Sequence, residues 1–436
     1  MKNIESKMKI PKYVYPKYYS YQLVKDNNQY PEAKDIKLLK NLKISKEFKQ
    51  TEERHLKNIL ENKKYWKEKY QKLDEESYKE EDEYSLFDFI YPFRVNKFMN
   101  KKYNLGLYFT NAFRKMYEIC EMTPFIDTKL KKIKHFDICG LPGGFVFGIN
   151  HFLKTRNPPI EYDWYLQSYK KKEKGTSYFT DEYGLVKKNR NRILMGDGTG
   201  DITKTQNIEE YYRIFEGEEG CDIVTSDCGL EFESLFKSDK NNYGREKQMA
   251  KTFYAQLICG LGVLKKGGNF FMKTYHSFSP FFISLIYLLG MYFDDVRFVK
   301  PESSRQPDGK EVYLLCLGLK EIVSKEEKDK LLGILKNFKD DDLSKNIISY
   351  SEMKKDIVKG IENGLSNYYL QKMEIREKVS KFKLDLVGVS IFDDPGEYFL
   401  RKDLLYESSQ QIMLKYYKDY FKRYKYRRIQ NKDKLV

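Results

Sequence analysis

"DICGLPGGFVFGI", residues 137–149, closes an apolar, β-forming run with a glycine turn and then resumes in a helical pattern. Strand, glycine turn and helix in that order open a βα unit. Gly140, Gly143 and Gly144 let the backbone approach a ligand and leave amide N–H groups bare at a helix start. In an open α/β sheet the ligand crevice lies at the carboxyl ends of the strands. The spacing is not G-x-G-x-x-G, so a dinucleotide is disfavoured and a smaller nucleoside-containing cofactor fits better.

Outward from that turn, β-branched and aromatic runs alternate with helical patterns. Strands are expected at 135–141, 160–168, 192–197, 221–227, 269–275, 296–301 and 311–319, and helices at 102–121, 144–153, 245–264 and 280–293. The alternation predicts an α/β domain with a mostly parallel sheet of seven strands over residues 96–320. A short loop joins the last two strands, too short for a parallel crossover, so the final strand should run antiparallel. Residues 1–95 read as a charged, largely helical extension, with "KEFKQTEERHLKNILENKKYWKEKYQKL" a solvated helix. Residues 321–436 read as a helical, basic extension. In its tail Tyr416, Tyr420 and Tyr424 share one helical face, which is expected to dock on the main domain with Lys and Arg toward water.

Of the 436 residues 41% are hydrophobic and 16% aromatic, enough for a sizeable core. Lys and Arg number 80 against 64 Asp and Glu, a net charge of +16. That surplus suits a polyanionic partner such as nucleic acid. The frequent Lys, Asn, Ile and Tyr also fit an AT-rich genome, which weakens the inference. The six cysteines include no C-x-x-C pair and read as buried free thiols in a reducing compartment. The four histidines show no ligand spacing, so no structural metal is expected. The N-terminus lacks a signal-peptide core. "FFISLIYLLGMYF" (281–293) is too short to span a bilayer and reads as a helix buried against the sheet, so a soluble protein is expected.

Four further features carry chemistry. "GDGTGDITKTQNI" (196–208) places Asp197 and Asp201 in a glycine-rich turn after a strand, where carboxylates accept bonds from a nucleoside or simply close Asx turns. Asp227 in "DIVTSDCG" and Lys273 in "NFFMKTY" are charges at the ends of apolar strands. Glu311 opens the last strand, whose antiparallel course brings it to the same rim. Each alone reads as a solvated strand end. Three converging beside a glycine turn read as a site.

At these motifs the chain resembles the FtsJ-like (RrmJ-type) ribose 2′-O-methyltransferases, and within them the cap-specific mRNA enzymes of large DNA viruses. The resemblance spans roughly residues 105–318. "NAFRKMYEI" matches the family's lysine helix, "LPGGF" its cofactor loop, and "GDGTGDIT" a segment of the cellular cap enzymes. "SDCG", "KGGNFFMKTY" and "KPESSRQPDGKEVYLLC" match the aspartate, second lysine and glutamate segments. The chain departs from the family at Phe147 and at Asp308-Gly309-Lys310, which precede Glu311. The resemblance implies a Rossmann-like S-adenosylmethionine-dependent methyltransferase fold and a catalytic tetrad of Lys115, Asp227, Lys273 and Glu311, with Lys273 as general base. It implies S-adenosylmethionine contacts from Thr110, Asn111, Cys139, Gly140, Leu141, Pro142, Gly143, Gly144, Phe145, Asp201, Ile202 and Asp227. Ser303, Ser304 and Arg305 become RNA contacts, and no metal is needed. The implied reaction is methylation of the first transcribed nucleotide, cap 0 to cap 1. Its partners are the capped mRNA 5′ end and other capping or transcription subunits, with no membrane. The implied location is the cytoplasm, in a viral factory or virion for a viral protein, or the nucleus for a cellular enzyme. The alternatives are a ribosomal or transfer RNA ribose methyltransferase and a non-catalytic RNA-binding capping subunit on the same fold.

Overall fold

Alternation of side chains along extended chain sets the layers of this molecule. In the run 269–275, Phe270 and Met272 point to one side of the sheet while Phe271 and Lys273 point to the other. In 311–319, Leu314 and Cys316 share the first side, and Glu311, Tyr313 and Leu315 the second. Both sides are buried in separate apolar clusters, as expected of strands covered by helices on both faces.

The computed structural model describes residues 18–25, 36–40, 45–69, 105–156, 158–173, 176–178, 181–216, 219–229, 243–275, 278–304, 311–339, 345–348, 353–386, 416 and 418–436. In chain order the strands are β1 (Tyr19–Lys25), β2 (Ile36–Lys40), β3 (Lys132–Ile138), β4 (Glu161–Gln167), β5 (Lys171–Glu173), β6 (Thr176–Tyr178), β7 (Ile193–Leu194), β8 (Cys221–Ser226), β9 (Leu264–Tyr275), β10 (Phe293–Lys300), β11 (Glu311–Leu319) and β12 (Lys345–Ile348). The helices are α1 (Lys46–Lys69), α2 (Asn111–Met122), α3 (Gly144–Lys154), α4 (Leu185–Lys188), α5 (Thr205–Glu216), α6 (Tyr243–Val263), α7 (Pro280–Tyr292), α8 (Lys325–Lys336) and α9 (Lys355–Leu386).

The main sheet has the order β1-β10-β11-β9-β8-β3-β4-β7. Its pairings run β10, β9, β8, β3, β4 and β7 in one direction and β11 and β1 against them. The antiparallel last strand is therefore as expected. The strand count is not: there are eight strands, because β1, from a stretch read as a charged helical extension, adds an antiparallel edge to β10. Strand 192–197 shrinks to two residues, since the chain turns at once through Gly196, Gly198 and Gly200, all at positive φ. The helix expected from 102 starts at Asn111, where the Thr110 hydroxyl accepts the Phe113 amide at 3.3 Å and caps it.

The apolar run 280–292 forms α7, capped by Ser279 with Pro280 in its first turn. It is buried nearly all round, between the sheet and the outer elements β12 and α9. The charged helix α1 holds one anchor, Phe48, buried edge-on to Phe278 with ring centroids 4.7 Å apart. No helix among the described residues is long and apolar enough to cross a membrane.

Candidate active site

Four chain segments far apart in sequence meet at the carboxyl edge of the parallel strands, on the face that α2 covers. Asp227 follows β8 in phase with Ile223, a residue of the second cluster. Lys273 lies opposite Tyr313 in the β9–β11 ladder, and Glu311 opposite Tyr275. Lys115 projects from α2 onto this group.

The side chains form a closed ring. The Lys115 ammonium ion-pairs with Glu311 Oε1 and donates to the Tyr313 hydroxyl at 3.0 Å. Tyr313 in turn donates to Asp227 Oδ1 at 3.3 Å. Lys273 Nζ lies 3.3 Å from Asp227 Oδ1 and 3.5 Å from Glu311 Oε2. From outside the ring, Lys300 Nζ donates to the Glu311 carbonyl at 2.9 Å and fixes the start of β11. The Asp227 and Glu311 side chains each stay 24% exposed, so the ring opens to the crevice.

Burial would raise the Glu311 carboxyl, but Lys115 and Lys273 reverse this and hold it below the usual carboxylate range. Lys273, expected as the general base, is not lowered toward neutral. Burial pulls it down, yet Asp227 and Glu311 outweigh burial and hold it above the ordinary lysine range. A second cation nearby does not suffice to free this amine of its proton, because two carboxylates lie within 3.5 Å of it.

Beside the ring, the 139–144 turn lies over a buried carboxyl. Asp137 Oδ1 accepts from the Thr225 hydroxyl at 2.6 Å, while Oδ2 is buried with no hydrogen-bond partner among the described residues. Burial pushes Asp137 well above the usual carboxylate range. A Cβ at residue 140 would meet Asp137 Oδ2 at 2.3 Å, so only glycine fits. Gly143 adopts φ +105°, and a Cβ on Gly144 would strike Ala112 at 2.5 Å, so the turn seats directly on the first turn of α2.

Gln167, which the sequence did not single out, ties two loops together. Its Oε1 accepts the Cys139 amide at 3.0 Å, and its Nε2 donates to the Gly200 carbonyl. Its one signal in sequence is a polar residue ending the apolar strand "WYLQ". Tyr313 was likewise missed.

The remaining expected contacts fall into different settings. Leu141 and Pro142 form the partly exposed tip of the turn, and Gly143 behind them is buried. Thr110 is spent as the helix cap, and Asn111 Oδ1 accepts from Arg114. The Phe145 ring packs on Phe271 and Tyr313 in the core. Asp201 Oδ1 accepts the amide and hydroxyl of Thr203 at 2.9 and 2.8 Å, and Ile202 is buried. Asp197 closes an Asx turn on Thr199 and pairs with Lys204 at 2.6 Å. Ser303 and Ser304 are buried, and their amides donate to Glu118 and to the Pro301 carbonyl. They cap the end of β10, and neither side chain is offered to a phosphate in this arrangement. Arg305 lies outside the described residues.

The cysteines require a correction. Cys139 and Cys228 form a disulfide. The strands they follow, β3 and β8, are neighbours, so residues 89 apart in sequence have Cα atoms 5.1 Å apart, within bridging distance. Sequence spacing does not reveal such a pair. Cys120, Cys221, Cys259 and Cys316 are buried free thiols. Among the described residues no group of three or more His, Cys, Asp or Glu side chains is placed to hold a metal ion.

The site fits a small cationic cofactor bearing a nucleoside. Leu141 and Pro142 are partly exposed beside the ring, nothing of the protein lies against Gly198, and Asp227 stays partly exposed to offer a carboxyl.

Residues 108–319 match the FtsJ-like methyltransferase family. The chain is 31% identical over 232 residues to an uncharacterized protein of Acanthamoeba polyphaga mimivirus, covering 52% of this chain and 28% of that one. It is 29% identical over 276 residues to a probable methyltransferase of African swine fever virus, covering 60% and 62%. It is 28% identical over 215 residues to cap-specific mRNA (nucleoside-2′-O-)-methyltransferase 2 of Danio rerio, covering 48% and 28%. In each case the match spans less than two-thirds of the relative's own length.

Proposed function

We propose that this protein, whose residues 108–319 match the FtsJ-like methyltransferase family, is an S-adenosylmethionine-dependent mRNA cap methyltransferase acting on the ribose 2′-OH of the first transcribed nucleotide. The observation that carries this reading is the closed ring of Lys115, Glu311, Lys273, Asp227 and Tyr313 at the carboxyl edge of the parallel strands. The likeness to a cap-specific enzyme supports capped RNA as substrate.

S-Adenosylmethionine would be held by the 139–144 turn and Asp227 and would supply an electrophilic methyl group. A ribose hydroxyl is a poor nucleophile while protonated, so the chain must supply a base and hold the oxygen in line. In our reading Lys273 Nζ accepts the hydroxyl proton as the oxygen–methyl bond forms and the sulfur–methyl bond breaks. The departing thioether is neutral and needs no acid. Asp227 and Glu311 keep Lys273 protonated at rest, so the amine first orients the oxygen. It must give up that proton before it can accept the hydroxyl's. Lys115 holds Glu311, and Tyr313 holds Asp227. Fixed geometry of this kind contributes up to ~7–11 kcal/mol in ideal cases.

The test is methyl incorporation into matched short transcripts with and without a cap, with mapping of the modified nucleotide. We expect methylation of the capped transcript at its first nucleotide. Equal modification of uncapped RNA would replace the reading with a ribosomal or transfer RNA activity. No incorporation into any RNA would leave the non-catalytic subunit.

A further inference from the structure

The C-terminal segment lies outside the family match, yet it docks against the helix that carries Lys115. Residues 418–423 are helical, and their apolar face is consumed in docking. Tyr420, Phe421, Tyr424, Tyr426 and Ile429 are buried. Tyr426 stacks on Tyr117 of α2 with centroids 4.1 Å apart. The Tyr420 hydroxyl donates to Glu118 of α2 at 2.6 Å, and that of Tyr424 to Glu302 at 2.8 Å. Arg423 pairs with Glu302 at 2.6 Å. Farther on, His151 Nε2 donates to the Arg427 carbonyl at 2.8 Å and Asn150 to that of Asp433 at 2.9 Å.

The exposed side of the segment is cationic. Lys418, Lys422, Lys425, Arg427, Arg428 and Lys432 are exposed, and within 418–432 the only acid is Asp419. We propose that this face is an RNA-binding strip that grips the phosphate backbone of the substrate beyond the reacting nucleotide. The proposal rests on the reading of the site as an RNA methyltransferase. Two features favour RNA over a membrane surface. An interfacial helix needs exposed apolar side chains, and here those side chains are buried in the protein. The segment that bears the strip is also anchored near the catalytic rim, because its partner Glu118 lies one turn beyond Lys115 on the same helix.

The test replaces Lys418, Lys422, Arg427 and Arg428 together by Gln in the full chain. With a capped RNA of about 20 nucleotides at low salt, Kd should rise at least about tenfold. The slope of log K against log salt should flatten by about 0.7 for each phosphate no longer neutralised. Turnover on a capped dinucleotide, S-adenosylmethionine binding and thermal stability should be unchanged. Unaltered affinity and salt slope for the long RNA would overturn the proposal. So would an equal loss on the dinucleotide, or a loss confined to anionic vesicles. A wild-type protein that methylates no capped RNA, long or short, sinks the underlying reading instead.

Discussion

Tyr313 is the residue on which the site's geometry turns. Its hydroxyl accepts from Lys115 and donates to Asp227, and its ring stacks on Phe271 with centroids 4.6 Å apart. Removing a buried partner of this kind costs about 1–3 kcal/mol. Tyr313→Phe keeps the stacking and deletes the bridge. We expect kcat to fall by roughly tenfold or more while the affinity for S-adenosylmethionine stays near wild type, read by single-turnover methyl transfer and calorimetry. Asp227, Lys273 and Glu311 were legible because a charge at the end of an apolar strand is conspicuous, whereas Lys115, on a helix, came only from the family resemblance. Tyr313 was not, since an aromatic in "EVYLLC" reads as ordinary strand packing. Gln167 was hidden in the same way. Its role exists only once the 139–144 and 196–202 loops are side by side.

At the scale of elements, Glu118 joins three of them. It sits in α2, and its carboxyl accepts the Ser303 amide at 3.0 Å and the Tyr420 hydroxyl at 2.6 Å. Burial raises the carboxyl to about 8, with the donors from Ser303 and Tyr420 offsetting part of that and Glu302 adding to it. Between its ordinary value of 4.5 and about 8 the unfolded chain gives up this proton and the folded chain keeps it. Stability from this group is therefore lost as pH rises across that window and levels off above it. Glu118→Gln should flatten the loss, measured by urea unfolding at several pH values. An unchanged slope would place the pH dependence elsewhere. The parallel strands and their helices followed from periodicity and glycine turns. The edge strand β1 did not, because "YSYQLVK" lies in a charge-rich stretch and gains its strand character from pairing with β10. The Cys139–Cys228 bridge escaped for a related reason: adjacency of β3 and β8 is a property of the sheet order.

On the scale of the whole molecule, the +16 charge alone could not separate nucleic-acid binding from a compositional habit. Placement adds to it: at least six of the cations are exposed along a segment docked next to the catalytic helix. The layers follow the same logic. Alternation in β9 and β11 sends Lys273, Glu311 and Tyr313 to the face that α2 covers, and parallel order brings Asp227 beside them. Methyl incorporation into capped RNA by Lys273→Ala, alongside calorimetric titration of S-adenosylmethionine, bears most directly on the claim that this ring performs the chemistry. Transfer should fall by about a thousandfold or more, as when a general base is lost together with its positioning role, with donor affinity within about twofold of wild type. A variant that transfers methyl at the wild-type rate would contradict it.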